Sequence, residues 1–264
     1  MKSRLRAAKR TLVHPFWIDE AEIIARLAIA RVVESDPVLV DVGANFGTVT
    51  KRFLGMGWSA VAYEPDPVNR EHFIRAVGPN PRLQLSPAAV SDTAAETMSL
   101  FSSPVSMGIS TLSPFHESHE PTALVPVVTL AEDLHARGLR NVDFLKVDIE
   151  GFDFFALKGF DWNYAPQYVL YEFEDRKTIP LGHTLAASSA YVADLGYHLI
   201  YSVWEPIVEY GTQHRWRGFF SSPPPDIGEC WGNVMCFRDE VDAAICMNKY
   251  GSRLRRLLDD LAHG

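Results

Sequence analysis

The strongest constraint on this chain is a short turn, Asp41-Val42-Gly43-Ala44-Asn45-Phe46-Gly47, set directly behind the apolar run Val38-Leu39-Val40. A brief continuous apolar run bounded by turn residues reads as a strand buried on both faces. Helical spacing begins at Thr48 and continues to about Met56. A strand that turns sharply into a helix needs positions without a Cβ, and glycine supplies them. Glu64 stands 21 residues after Gly43, at the end of the next apolar run, Ser59–Tyr63. That is about the spacing at which a carboxylate reaches the two ribose hydroxyls of a nucleoside held at such a turn. A tight turn without a ligand accounts for the glycines but not for Glu64, so the pair favours ligand binding.

The turn also discriminates among nucleosides. A pyrophosphate binder uses G-x-G-x-x-G to bring a helix N-terminus onto phosphate. Here Ala44-Asn45 replaces the second glycine and Gly47 comes late. S-adenosylmethionine (SAM) carries no phosphate, so the sequence favours SAM over a nicotinamide dinucleotide.

Strand and helix alternate along the first half: strands at 38–42, 59–64 and near 82–87, helices at 48–56 and 67–76. Alternation of this kind predicts a mostly parallel sheet with helices on both faces. An amphipathic helix over 17–34 precedes it, with Ile23, Ile24, Leu27, Ala28 and Val32 on one face. Residues 91–127 break the pattern as a loop or hairpin insertion. Alternation resumes with helices at 129–137, 152–159 and 184–195 and strands at 142–147, 167–173 and 197–203. An antiparallel partner is expected at 232–237 and an amphipathic helix at 240–261. The expected division is an N-terminal helical extension (1–36), one catalytic domain (37–240) with an acceptor-binding region at 176–231, and a C-terminal helix (241–264).

Composition removes several function classes. Hydrophobic residues are 47% and charged residues 22%, enough apolar content for a full core. The net charge of −8 argues against nucleic acid as a partner. Three unpaired cysteines, Cys230, Cys236 and Cys246, fit a reducing compartment and a cytoplasmic location. No apolar run reaches the length that spans a bilayer. Pro15, Asp19, Glu20 and Glu22 interrupt what a signal peptide would need as its apolar stretch. Lys2, Arg4, Arg6, Lys9 and Arg10 read as a solvated terminus ahead of a weak membrane-surface contact. Leu254, Leu257, Leu258 and Leu261 would pack on the body or across a homodimer.

The segments DVGANFGTVT, YEPDP, AAVSD, MGISTL, VVTLAEDL and DFLKVDIEGFD occur in this order from about residue 38 to 159. Together they resemble the FkbM-type family of SAM-dependent methyltransferases, mostly O-methyltransferases of sugars, glycolipids and natural products. The resemblance implies a Rossmann-like class I methyltransferase fold, α/β in class. It implies that Asp41, Gly43, Asn45 and Gly47, with Thr48, hold the methionyl part of SAM. Glu64, with Pro65, would bind the ribose, and Ser91 and Asp92 would approach the adenine edge. Asp148 would lie beside the sulfonium and the acceptor. Asp153 departs from the glutamate usual in the family.

Methyl transfer to a hydroxyl needs alignment and a base. Asp148, Glu150, Glu172 and His183 are the candidates, with Asp148, Glu172 and His183 carried forward as catalytic. Carboxylates converging at strand ends could also bind a divalent cation such as magnesium, with Asp148 and Glu172 as ligands. Helix-dipole charge explains Glu150 as well as chemistry does. His116 and His119 lie between Pro114 and Pro121 and read as loop residues rather than zinc ligands. Trp204, Tyr210, Trp216 and Trp231 suit a sugar ring or a core equally. A small-molecule or glycan acceptor is expected. A nicotinamide-dependent oxidoreductase and a non-catalytic SAM-binding module are the rival readings.

Overall fold

The computed structural model describes residues 18–30, 36–105, 108–208 and 214–251. In chain order the main elements are α1 (Glu20–Ala30), β1 (Val38–Val42), α2 (Thr48–Gly55), β2 (Ser59–Tyr63), α3 (Pro67–Val77) and β3 (Leu83–Ser86). Then come β4 (Ala89–Val90), β5 (Ala95–Ser102), β6 (Glu120–Val128), α4 (Leu130–Ala136), β7 (Phe144–Val147) and α5 (Asp153–Lys158). The chain continues with β8 (Tyr168–Glu174), α6 (Asp175–Thr178), α7 (Leu185–Asp194), β9 (His198–Trp204), β10 (Trp216–Phe220), β11 (Trp231–Phe237) and α8 (Glu240–Ile245).

Eight strands form one sheet in the order β10-β9-β11-β8-β7-β1-β2-β3. The five from β8 to β3 run parallel, and β11 is inserted antiparallel between β8 and β9. Both faces of the sheet are covered. Leu39, Phe144, Tyr168 and Phe237 pack with Ile23, Ile24 and Leu27 of α1 and Phe53 of α2 on one face. Val40, Leu145, Val169 and Val234 pack with Leu134 of α4, Leu157 of α5 and Val192 of α7 on the other. This is the α/β arrangement that the strand pattern predicts. The order jumps from β3 back past β1 to β7, so the carboxyl ends of β1 and β7 diverge around a crevice, where open α/β sheets bind ligands.

A separate three-stranded sheet, β4-β6-β5, stands over that crevice. Asp66, the N-cap of α3, fixes it there: its Oδ2 accepts from Ser102 Oγ (2.6 Å) and Ser110 Oγ (3.0 Å). The C-terminal helix that the periodicity predicts over 240–261 is described as far as Gly251. After α8 the chain widens into a π-turn over Cys246–Gly251, and the basic and leucine-rich residues from Arg253 lie outside the described residues. The basic N-terminal residues and Tyr210 lie outside them too. No helix among the described residues is long and apolar enough to cross a membrane.

Candidate functional site

The turn after β1 is built by backbone. The amides of Gly43 and Ala44 both donate to the Tyr63 carbonyl at 3.0 Å, which locks the turn to the end of β2. Gly43 (φ +75°) and Gly47 (φ +79°) are glycines for a further reason. A Cβ on Gly43 would sit 1.9 Å from the Asp148 carbonyl, and one on Gly47 would strike Phe73 and Val77 of α3. Gly43 therefore joins β1 to β7, and Gly47 seats α2 against α3. Gly47 is not among the residues that line the cleft.

The cleft itself is lined by Gly43, Asn45, Glu64, Pro65, Ala88, Ala89, Val90, Asp148, Ile149, Glu150 and, from the small sheet, Ser110 to Leu112. Counted to its open mouth it holds about 620 Å3. Glu64 is buried, with Oε2 accepting from the Asn45 amide (2.7 Å) and Oε1 from the Asp66 amide (2.9 Å). Burial pushes its carboxyl up to about 7, against the pull of those two amides. Asn45 Oδ1 is buried and has no partner among the described residues. Asn45 also adopts φ 48°, the left-handed region that asparagine tolerates better than most residues.

Asp41 lies wholly beneath the turn. It accepts from Thr50 Oγ1 at 2.6 Å, and its Oδ1 lies 3.3 Å from Lys146 Nζ. Any effect it has on a ligand therefore passes through Lys146 rather than by touch. Lys146 also donates to the Gly43 carbonyl (2.9 Å) and approaches Asp148 Oδ2 at 3.5 Å. Asp148, by contrast, has a half-exposed side chain at the mouth of the cleft.

Behind Asp148 lies a buried ionic cluster that the sequence suggested only in part. Asp148, Glu150 and Glu172 can bring one oxygen each within 4.8 Å of one another. A cation is already at that cluster. Lys177 Nζ lies 2.5 Å from Glu150, 2.9 Å from Glu174 and 3.4 Å from Glu172. Burial pushes the Glu150 and Glu172 carboxyls up, and Lys177 opposes it. Glu150 adopts φ 57° in the turn between β7 and α5. Its carboxylate is held there by Lys177. Glu172 lies inside β8, two residues short of its end, and does not line the cleft.

Other residues are placed elsewhere than the sequence suggested. Ser91 and Asp92 do not end the third sheet strand. The chain leaves the large sheet after Ser86 and enters β4, and Ala88 to Val90 line the cleft instead. Asp92 is turned toward α5, where it meets Lys158 at 2.5 Å. Thr48 lines a second cavity, described below. His183 packs against Phe154 and Phe155, with Nε2 at 3.2 Å from the Gly151 carbonyl, and lines neither the cleft nor its mouth. His119 is held by the amides of Phe115 and His116 and by the Ile109 carbonyl, so it organises its loop. Trp216 is core, packed edge-on against Phe219. Sequence reasoning missed Glu20 and Lys177. Glu20 is buried on α1 and pushed up to about 7 by burial, and its Oε1 accepts from Ser202 Oγ at 2.5 Å.

A model of the FkbM methyltransferase domain matches residues 41–199. The chain is similar to the crystal structure of methyltransferase FkbM from Methylobacillus flagellatus KT (17% identity, TM-score 0.48), covering 86% of this chain and 49% of that one. It therefore spans about half the length of that relative. It is also similar to precorrin-6y C5,15-methyltransferase from Geobacter metallireducens GS-15 (10% identity, TM-score 0.42, 82% of this chain and 86% of that one). A third likeness is to a TehB-like SAM-dependent methyltransferase from Corynebacterium glutamicum ATCC 13032 Kitasato, at 11% identity and TM-score 0.41, covering 90% of this chain and 96% of that one. No curated protein matches the chain.

Proposed function

Since the chain belongs to the FkbM family of SAM-dependent methyltransferases, we propose that it transfers a methyl group from SAM to a hydroxyl, with a sugar as the acceptor class. The carrying observation is the cleft's polar arrangement: Glu64 and Asn45 at one end, the half-exposed Asp148 carboxylate at the other. The donor set fits a nucleoside with an amino-acid tail. Glu64 keeps lone pairs for a ribose diol, the unpartnered Asn45 Oδ1 can accept a hydrogen bond, and Ala88 to Val90 offer an apolar edge to a purine. When bound, SAM supplies a methyl group on a positively charged sulfur that departs as a neutral thioether.

The chain's own work is alignment and proton handling. Positioning alone can remove roughly 7–11 kcal/mol of barrier. Asp148, steadied by Lys146, is placed to accept the hydroxyl proton as the carbon–oxygen bond forms. Asp148→Asn is expected to keep S-adenosylhomocysteine affinity within about threefold and to lose about 10²–10⁴ in turnover. Calorimetry and a methyl-transfer assay check the two halves. Retained turnover removes Asp148 from the chemistry, whereas SAM binding with no turnover in the unaltered chain favours the non-catalytic SAM-binding reading. The family match leaves the nicotinamide-dependent alternative without support.

Lys177 bears on the metal reading. It supplies, among Glu150, Glu172 and Glu174, the positive charge that a divalent cation such as magnesium would bring to Asp148 and Glu172. Turnover is therefore expected to be unchanged by chelator. A loss restored by added magnesium would assign the carboxylates to a metal.

Glu64 sets a pH dependence. Its carboxyl is raised from 4.5 to about 7, so its neutral form stabilises the unliganded fold below about 4.5 and that contribution fades as pH rises through 7. A ribose diol donates to the charged form, so affinity should rise with pH up to about 7 and then level off. Binding near neutrality should release a proton, visible as buffer-dependent heat. Glu64→Gln should abolish the pH dependence and weaken binding by about 10–100-fold, as expected for losing charged hydrogen bonds.

A further inference from the structure

A second cavity opens on the other side of Asp148. Among the described residues it is lined by Asp19, Glu20, Thr48, Lys146, Leu170, Trp204, Trp231 and Asn233, with Asp148 shared between it and the cleft. Counted to its mouth it holds about 820 Å3, against about 620 Å3 for the cleft. The register of the sheet explains its chemistry. Residues two apart on a strand share a face. On the α1 face, Leu170, Met235 and Ile200 form an apolar row across β8, β11 and β9. The next row toward the carboxyl edge is polar: Glu172, Asn233, Ser202. The row after it pairs Trp231 with Trp204. The two indoles stack at 5.3 Å and 25°, the His214 ring meets Trp231 at 5.2 Å and a steep angle, and the stacked pair walls one side of the cavity. Trp204 is buried, and neither indole N–H has a hydrogen-bond partner among the described residues.

We propose that this cavity is the acceptor site and that it takes an uncharged pyranose ring, set against the Trp204–Trp231 pair with its hydroxyls toward Glu20 and Asn233 and one of them at Asp148. This rests on the methyl-transfer reading above. An aromatic wall facing carboxylate and amide groups matches a sugar, whose C–H patches and hydroxyls lie on different faces. The charges present are already engaged. Asp19 is held by Arg52 at 2.5 Å, Lys146 by Asp41 and Asp148, and Glu20 by Ser202. Burial also raises the Glu20 carboxyl to about 7, which favours a neutral, hydroxylated ligand over an anion or cation. A lipid chain would leave Glu20 and Asn233 facing hydrocarbon, which costs free energy for each unmatched polar group.

The test is saturation-transfer NMR on the full chain with S-adenosylhomocysteine bound, using a panel of methyl glycosides of hexoses and 6-deoxyhexoses, with phenols as the comparison set. Ring C–H protons of at least one glycoside are expected to receive saturation. Its affinity should fall about tenfold in Trp231→Ala and in Asn233→Ala, with S-adenosylhomocysteine affinity held within about twofold. Trp231→Leu, which keeps an apolar side chain there and removes the aromatic face, guards against misfolding and should show the same loss. Silence from every glycoside, or binding of phenols instead, overturns the sugar assignment. A glycoside that binds equally well to all three variants overturns the cavity. Failure of the unaltered chain to bind S-adenosylhomocysteine overturns the cofactor reading, and this inference falls with it.

Discussion

Gly43→Ala is expected to lower S-adenosylhomocysteine affinity by about a hundredfold or more while leaving a folded protein. Two costs meet at this position. The backbone sits at φ +75°, where a Cβ costs roughly 1–2 kcal/mol by local sterics. The Cβ would also lie 1.9 Å from the Asp148 carbonyl oxygen and 3.0 Å from Ile149 Cγ2. Backbone cannot rotate out of the way as a side chain can, so the end of β7 must shift by about an ångström. That shift carries Asp148, Ile149 and Glu150, which line the cleft opposite Glu64. Misaligning one or two charge-assisted hydrogen bonds, at about 1.5–3 kcal/mol each, weakens binding on the order of 10²-fold. Gly78→Ala separates the two costs. Gly78 has φ +74° but nothing within 4 Å of its would-be Cβ. With ψ at 177° it lies in a region nearly confined to glycine, so the variant should lose about 1–3 kcal/mol of stability with affinity unchanged. Calorimetry and thermal unfolding on both variants decide it: Gly43→Ala binding within about threefold of the parent would mean that the β1–β7 contact does not hold the site in shape.

The residues legible in the sequence are those whose roles are fixed by local spacing. Gly43, Glu64 and Asp148 each close a strand of the parallel sheet, so strand length and order place them together at one edge. The misplacements come where the chain changes sheets. Nothing in Leu83–Ser91 signals that the strand ends at Ser86 and that Ala89-Val90 pairs instead with Val127-Val128, and this puts Ser91 and Asp92 off the cleft. The antiparallel β11 was legible as a partner of β9, but its simultaneous pairing with β8, which faces Asn233 with Glu172, depends on long-range assembly. Glu20 was hidden for a similar reason. An acidic residue in the first turn of a helix is favoured by the dipole wherever it occurs. Its bond to Ser202 spans 182 residues and exists only once α1 is laid on the sheet.

Lys177→Met should destabilise the fold by roughly 3–5 kcal/mol, as removing one partner from a buried ion pair does, and lower Tm by about 6–20 °C, but only well above acidic pH. Methionine matches the lysine stem in length, so packing beside Gly151 is largely kept and the main change is electrostatic. Lys177 is almost wholly enclosed, and it faces Glu150, Glu172 and Glu174 across 2.5–3.4 Å. Without it, two or three buried carboxylates must share their space with no opposing charge or else take up protons. The sign follows from the direction of their shifts. Burial already raises Glu150 and Glu172 above the ordinary 4.5, so their neutral forms stabilise the fold below that pH and the contribution is lost as pH rises through the folded values. Removing the lysine raises those values further. The difference between variant and parent should therefore be small near about pH 5 and grow to its full size near about pH 8. Thermal unfolding across that range measures it. A Tm loss equal at both ends would assign Lys177 to packing. A loss that opens with pH would identify it as the internal counterion on which the carboxylates behind Asp148 depend.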